Sequence, residues 1–183
     1  MENYFFEYFN EFSKLINKVD YNNLREVALL ANEVKKKNKK IIMVGNGGSA
    51  SIASHLAVDF TKAAGVRSIT FNESSLLTCF GNDYGYQNWV KKALEFYADK
   101  QDLIILISSS GNSKNIINGA IKAKEMNCKL VTFSGFSEDN GLNNLGDLNF
   151  WVNSNVYNYV ETIHQIWLLS RSEEHTSELQ SPM

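Results

Sequence analysis

Five short and almost uninterrupted apolar runs recur along this chain: Ile41-Ile42-Met43-Val44, Ser68-Ile69-Thr70-Phe71, Leu103-Ile104-Ile105-Leu106-Ile107, Leu130-Val131-Thr132-Phe133 and Leu148-Asn149-Phe150-Trp151-Val152. Strands that are apolar at successive positions, rather than at alternate ones, need cover on both faces, which is the condition of a parallel sheet held between helical layers. The stretches between the runs have helix length, around Ala50–Ala64, Ser74–Phe80, Tyr86–Tyr97 and Ser113–Met126, with a last one from about Val156 to Leu169. The alternation predicts an α/β fold: a doubly wound, mainly parallel five-stranded sheet flanked by helices, three-layered in the flavodoxin-like or Rossmann-like manner. Ahead of it, Phe5, Phe6, Phe9, Phe12, Leu15 and Ile16, and then Leu24, Val27, Leu30, Ala31 and Val34, recur at helical spacing on either side of Asp20-Tyr21-Asn22. An N-terminal helical pair over residues 1–38 therefore precedes an α/β core over 40–170, and no repeat, linker or low-complexity stretch divides them.

Composition removes several function classes. Lys and Arg number 18 against 20 Asp and Glu, and the lysines of Lys35-Lys36-Lys37 and Lys39-Lys40 form only a short patch, so no nucleic-acid or membrane partner is expected. That patch is expected to be a solvated helix end. The first residues, Met1-Glu2-Asn3-Tyr4, lack a basic region leading into an apolar one, and the expected location is the cytoplasm. Cys79 and Cys128 sit in apolar contexts far from any Cys or His cluster, as small buried hydrophobes would. From Arg171 the chain reads RSEEHTSELQSPM, similar to an in-frame translation of a sequencing-library adapter; residues 171–183 are expected to be a non-native tail that breaks off the last helix near Ser170.

The first apolar run ends in Gly45-Asn46-Gly47-Gly48-Ser49 and the third in Ser108-Ser109-Ser110-Gly111-Asn112-Ser113, each leading into a helix. Glycines at the C-terminal end of a parallel strand let the backbone come close to a ligand, and the next helix turns unpaired N–H groups and its positive end outward. Serine hydroxyls add short neutral donors, a combination suited to a phosphate monoester that must leave again. Neither loop has the GxGxxG or Walker spacing of dinucleotide and nucleoside triphosphate sites. Taken singly, each loop also reads as ordinary turn and cap chemistry.

Together with GNDYGY from Gly81 to Tyr86, the segments GNGGSASIASH from Gly45 to His55 and SSSGNS from Ser108 to Ser113 resemble the sugar isomerase (SIS) domain family, and within it the phosphoheptose isomerases. The resemblance covers residues 1–170. It implies that a phosphorylated sugar is held by Asn46, Gly47, Ser49, Ser108, Ser109, Ser110 and Ser113, with Asp83 at the sugar-binding cleft. It also implies a homotetramer with sites assembled between subunits, a role that the aromatic N-terminal helix suits.

Moving a carbonyl between C1 and C2 of a sugar phosphate through an enediol needs one group to carry the carbon-bound proton and another to manage the oxygens. His55 and Asp59 lie four apart on one predicted helix, and Glu161 and His164 three apart on another, so each pair shares a face. Against the family pattern, His55 matches a His, Asp59 replaces a Glu, Glu161 stands where a Gln is usual, and Leu169 falls where the catalytic His is expected. His164 matches a further His of that helix. The catalytic expectation is Asp59 as the proton-transfer carboxylate, with Glu161 or His164 as its counterpart. The reaction requires no cofactor; some members bind zinc through these positions, which makes His55, Asp59, Glu161 and His164 the candidate ligands. The competing expectation is a non-catalytic SIS module that binds a sugar phosphate or a protein partner, like relatives that regulate replication initiation.

Overall fold

The apolar runs become β1 (Ile41–Gly45), β2 (Ser68–Thr70), β3 (Leu103–Ser108), β4 (Lys129–Gly135) and β5 (Leu148–Val152), side by side in the order β2-β1-β3-β4-β5. Every neighbouring pair is parallel. The helices are α1 (Glu2–Ile16), α2 (Tyr21–Lys36), α3 (Gly48–Lys62), α4 (Ser74–Tyr84), α5 (Trp89–Tyr97), α6 (Lys114–Glu125) and α7 (Tyr157–Gln180). This computed structural model describes the backbone of residues 2–180 and the side chains of residues 3–170.

The period of a strand sorts its side chains into two cores. Ile41, Met43, Leu103, Ile105 and Ile107 pack under α1, α2, α3 and α7, while Ile42, Val44, Ile104 and Leu106 pack under α5 and α6. Asp20 starts α2, its carboxylate accepting from Asn22 N at 2.8 Å. Trp167 of α7 donates from Nε1 to the Ile16 carbonyl at 2.9 Å, which ties the N-terminal pair to the end of the chain.

Two local expectations are corrected. Cys79 is exposed on α4, and only Cys128 is buried, where desolvation and then the Asp102 charge push its thiol up to about 11. Asn82 and Asp83 close the last turn of α4, and the reversal falls on Gly85 at φ 80°. Lys40 is not a solvated helix end: its ammonium lies 2.7 Å from Asp102, which is fully buried, and 2.8 Å from Asp99. Burial works against the Lys40 charge, but the hydrogen bonds to both carboxylates outweigh it and raise its pKa. The backbone of α7 continues past Ser170 to Gln180, as a stretch without Gly or Pro allows. The expected non-native character of residues 171–183 lies outside the described side chains. No described helix is long and apolar enough to cross a membrane.

Candidate active site

From β1 the chain steps to β2 on one side of the sheet, and later to β3 on the other, so the strand order reverses between β1 and β3. Crevices for ligands open at such a point, outside the C-terminal ends of the strands. Both glycine and serine loops leave the sheet there, in register, since Gly45 is paired with Ile107.

The first loop is shaped by Gly47, at φ 57° and ψ −123°, which turns the chain into α3. It is also braced: Asn72 donates to the Gly45 carbonyl at 2.8 Å. Asn46 and Asn115 exchange side-chain amide bonds at 3.0 and 2.9 Å, and Tyr86 Oη donates to Asn46 Oδ1 at 3.1 Å. Asn46, an expected ligand donor, thus also ties the first loop to the first turn of α6. In the second loop, Gly111 has φ 64°, and its N–H returns to the Ser108 carbonyl at 2.9 Å. Ser108 Oγ and Ser113 Oγ lie 3.3 Å apart, and Ser113 is the N-cap of α6. A side chain at Gly111 would overlap the Asn140 amide, which is buried and bonded to Ser134, Gly135 and Ser137.

Between the loops lies a cleft of about 250 Å³, lined by Asn46, Gly47, Gly48, Ser49, Ser108, Ser109, Ser110, Ser113, Tyr157 and Glu161. The seven positions expected to hold the phosphorylated sugar meet here; Asp83, expected at the sugar-binding cleft, is not among the lining residues. It is exposed, and its carboxylate accepts from Asn82 Nδ2 at 2.8 Å and faces Cys79 Sγ at 3.6 Å. Glu161 joins the cleft from α7: Ser109 Oγ donates to its Oε1 at 3.2 Å, and a side chain at Gly48 would overlap the carboxylate. Glu161 therefore rests on the first residue of α3, the positive end of that helix.

A second hollow adjoins the first, sharing Gly48 and Glu161 and adding Ser51, Ile52, His55, Thr162 and Gln165. His55 Nδ1 lies 3.4 Å from Gln165 Nε2. Asp59, a turn further along α3, lines neither hollow. Sequence reasoning missed Gln165 and Tyr157; which hollow each lines becomes readable only once α7 is packed against α3.

His164 is a correction. It is fully buried, edge-on to Phe133, with Nε2 3.0 Å from the Ser134 carbonyl. Desolvation lowers its pKa to about 4, against the weaker opposing effect of that hydrogen bond. Val160, Ile163, His164, Trp167 and Leu168 make one buried stripe of α7, and Glu161 sits at its edge. An imidazole on the sheet side of that stripe does not reach the cleft. The expected zinc ligands do not fit a metal within one chain either: His164 points away, and no three His, Cys, Asp or Glu side chains gather among the described residues.

The sequence model of the SIS domain matches residues 5–135. The chain belongs to the SIS domain family. Among relatives of this SIS domain, a phosphoheptose isomerase of Aliarcobacter butzleri is 37% identical over 160 residues, covering 84% of this chain and 80% of the relative. The fold matches that of a phosphoheptose isomerase from Neisseria gonorrhoeae, with a TM-score of 0.87, 23% identity and coverage of 95% and 98%. A phosphoheptose isomerase from Francisella tularensis gives a TM-score of 0.86 at 20% identity, with 96% of each chain covered.

Proposed function

We propose that this SIS domain interconverts the ketose and aldose forms of a phosphorylated sugar, sedoheptulose 7-phosphate and a glycero-manno-heptose 7-phosphate, through an enediol. The supporting observation is the meeting of both strand-end loops with Glu161 in one cleft at the sheet's reversal point. The phosphoryl group takes hydrogen bonds from the serine loop and from Ser49, and the sugar's reacting end extends toward the adjoining hollow. There Glu161 withdraws the proton from one carbon and returns it to the next, while the proton moves between the two oxygens with the help of the His55 imidazole. This pairing follows the shared lining of that hollow by Glu161 and His55. It replaces the pair expected from sequence, because His164 is in the core and Asp59 lines neither hollow.

Asp59 and Asp83 do not line the cleft of their own chain, which agrees with a role at a neighbouring subunit's cleft in a homo-oligomer. Tyr4, Phe5, Phe6 and Phe9 of α1 leave an exposed aromatic face that suits self-association, and the assembly in this reading is a tetramer. The reading is of a cytoplasmic enzyme that needs no cofactor and engages neither nucleic acid nor membrane.

The test is turnover of sedoheptulose 7-phosphate by the wild-type chain, Ser110→Ala and Glu161→Gln. Glu161→Gln is expected to lower kcat by about a hundredfold or more, and Ser110→Ala chiefly to raise KM. Saturable binding of the sugar phosphate without product would replace this reading with that of a binding module.

A further inference from the structure

The serine cleft holds a carboxylate where an anionic ligand is to bind. Ser109, 5% exposed, donates its hydroxyl to Glu161 Oε1 at 3.2 Å, and the same carboxylate covers Gly48 at the start of α3. Peptide N–H groups in the first turn of a helix have no partner within the helix, so this is where a protein stabilises a negative charge most readily. No Lys, Arg or His lines the cleft among the described residues. With no cation to stand between them, a phosphoryl dianion and a carboxylate repel each other at contact distance and cannot both use Ser109 and the α3 terminus. Glu161 has somewhere else to go, because the adjoining hollow that it also lines carries His55 and Gln165.

We infer that the Glu161 carboxylate and the phosphoryl group of a bound sugar phosphate are alternative occupants of the position beside Ser109 and Gly48, so that seating the phosphate drives Glu161 toward His55. The inference rests on the isomerase reading and deepens it: the substrate's own phosphate sets the carboxylate against the reacting carbons. In the free protein, Glu161 is an internal stand-in for phosphate. A ligand without a phosphoryl group leaves it on Ser109, and inorganic phosphate alone has to displace it.

Inorganic phosphate is the probe, titrated calorimetrically into the wild-type chain, Glu161→Gln and Glu161→Ala. The amide still reaches Ser109 but carries no charge, and alanine vacates the position; the melting temperature without phosphate verifies that each variant is folded. Both variants are expected to bind phosphate about tenfold more tightly than wild type, a modest figure for removing a like charge at contact distance near a protein surface. Equal or weaker binding by the variants overturns the inference. If wild type turns over sedoheptulose 7-phosphate while its phosphate affinity equals that of Glu161→Gln, only this inference fails. If wild type neither binds phosphate nor isomerises the sugar, the isomerase reading falls with it.

Discussion

Two glycines with positive φ, one in each loop, allow the backbone strain of the site to be separated from its packing. Gly47, at φ 57° and ψ −123°, has nothing within 4 Å of where a Cβ would stand, so Gly47→Ala meets only the conformational penalty. That penalty is about 2 kcal/mol for a non-glycine residue in so sparsely populated a region. Gly111→Ala carries a similar penalty at φ 64°, and its methyl group must also evict the Asn140 amide, whose Cβ would be 2.8 Å away. Asn140 is 2% exposed, so it has no solvent to move into. Its Nδ2 donates to Ser134 Oγ at 3.1 Å, to the Gly135 carbonyl at 3.2 Å and to the Ser137 carbonyl at 2.7 Å. Its Oδ1 accepts from Leu142 N at 3.2 Å and from Asn143 N at 2.9 Å. Losing most of these, at about 1 kcal/mol each, brings the total for Gly111→Ala to about 5 kcal/mol. Urea unfolding followed by far-ultraviolet circular dichroism, at one fixed protein concentration, measures both variants on the same scale. The reasoning is refuted if Gly111→Ala loses no more stability than Gly47→Ala.

Two further outcomes follow from buried ionisable groups. His164 is neutral in the fold, with a pKa lowered from 6.5 to about 4. The unfolded chain binds the proton first on acidification, so its contribution, roughly 3 kcal/mol, is present above pH 6.5 and is lost as the pH falls toward 4. Melting curves between those limits should be flatter for His164→Gln than for wild type, and parallel curves would contradict the assignment. Lys40→Met leaves the Asp102 carboxylate, 0% exposed, without its cation and should cost about 3 kcal/mol in urea unfolding. Adding Asp102→Asn, which removes the charge but keeps an acceptor near Lys40 N and Asp99 N, should restore part of it, whereas a double variant as weak as Lys40→Met alone would show that the pair does not act as a unit.

The sheet and the two loops are legible in the sequence because each rests on a local rule: apolar runs of strand length, helix-length spacers, and Gly and Ser at strand ends. The facing of α7 is legible as well. Val160, Ile163, Trp167 and Leu168 stand at the spacing of a buried stripe, and position 164 falls within it, so His164 belongs to the core by pattern alone. What no local pattern supplies is the lateral packing of α7 on α3, which brings Glu161 onto Gly48 and Gln165 beside His55. Asp59 illustrates the same gap. A shared helix face says which way a carboxylate points, but its distance along the axis from the loop decides whether it arrives.

The two loops emerge from adjacent strands, and paired strands stand about 4.8 Å apart whatever their side chains. The width of the cleft between them is therefore inherited from the main-chain ladder rather than chosen by the residues that line it. Mutation can alter what lines the cleft but has little purchase on the distance between its two walls. In the proposed reading, divergence toward new sugars is thereby channelled to the remaining wall, α7, where Tyr157 and Gln165 can change one at a time while the two loops and Glu161 stay as they are. On that reading, a site built this way can exchange the carbohydrate it accepts while keeping the handle by which it holds it.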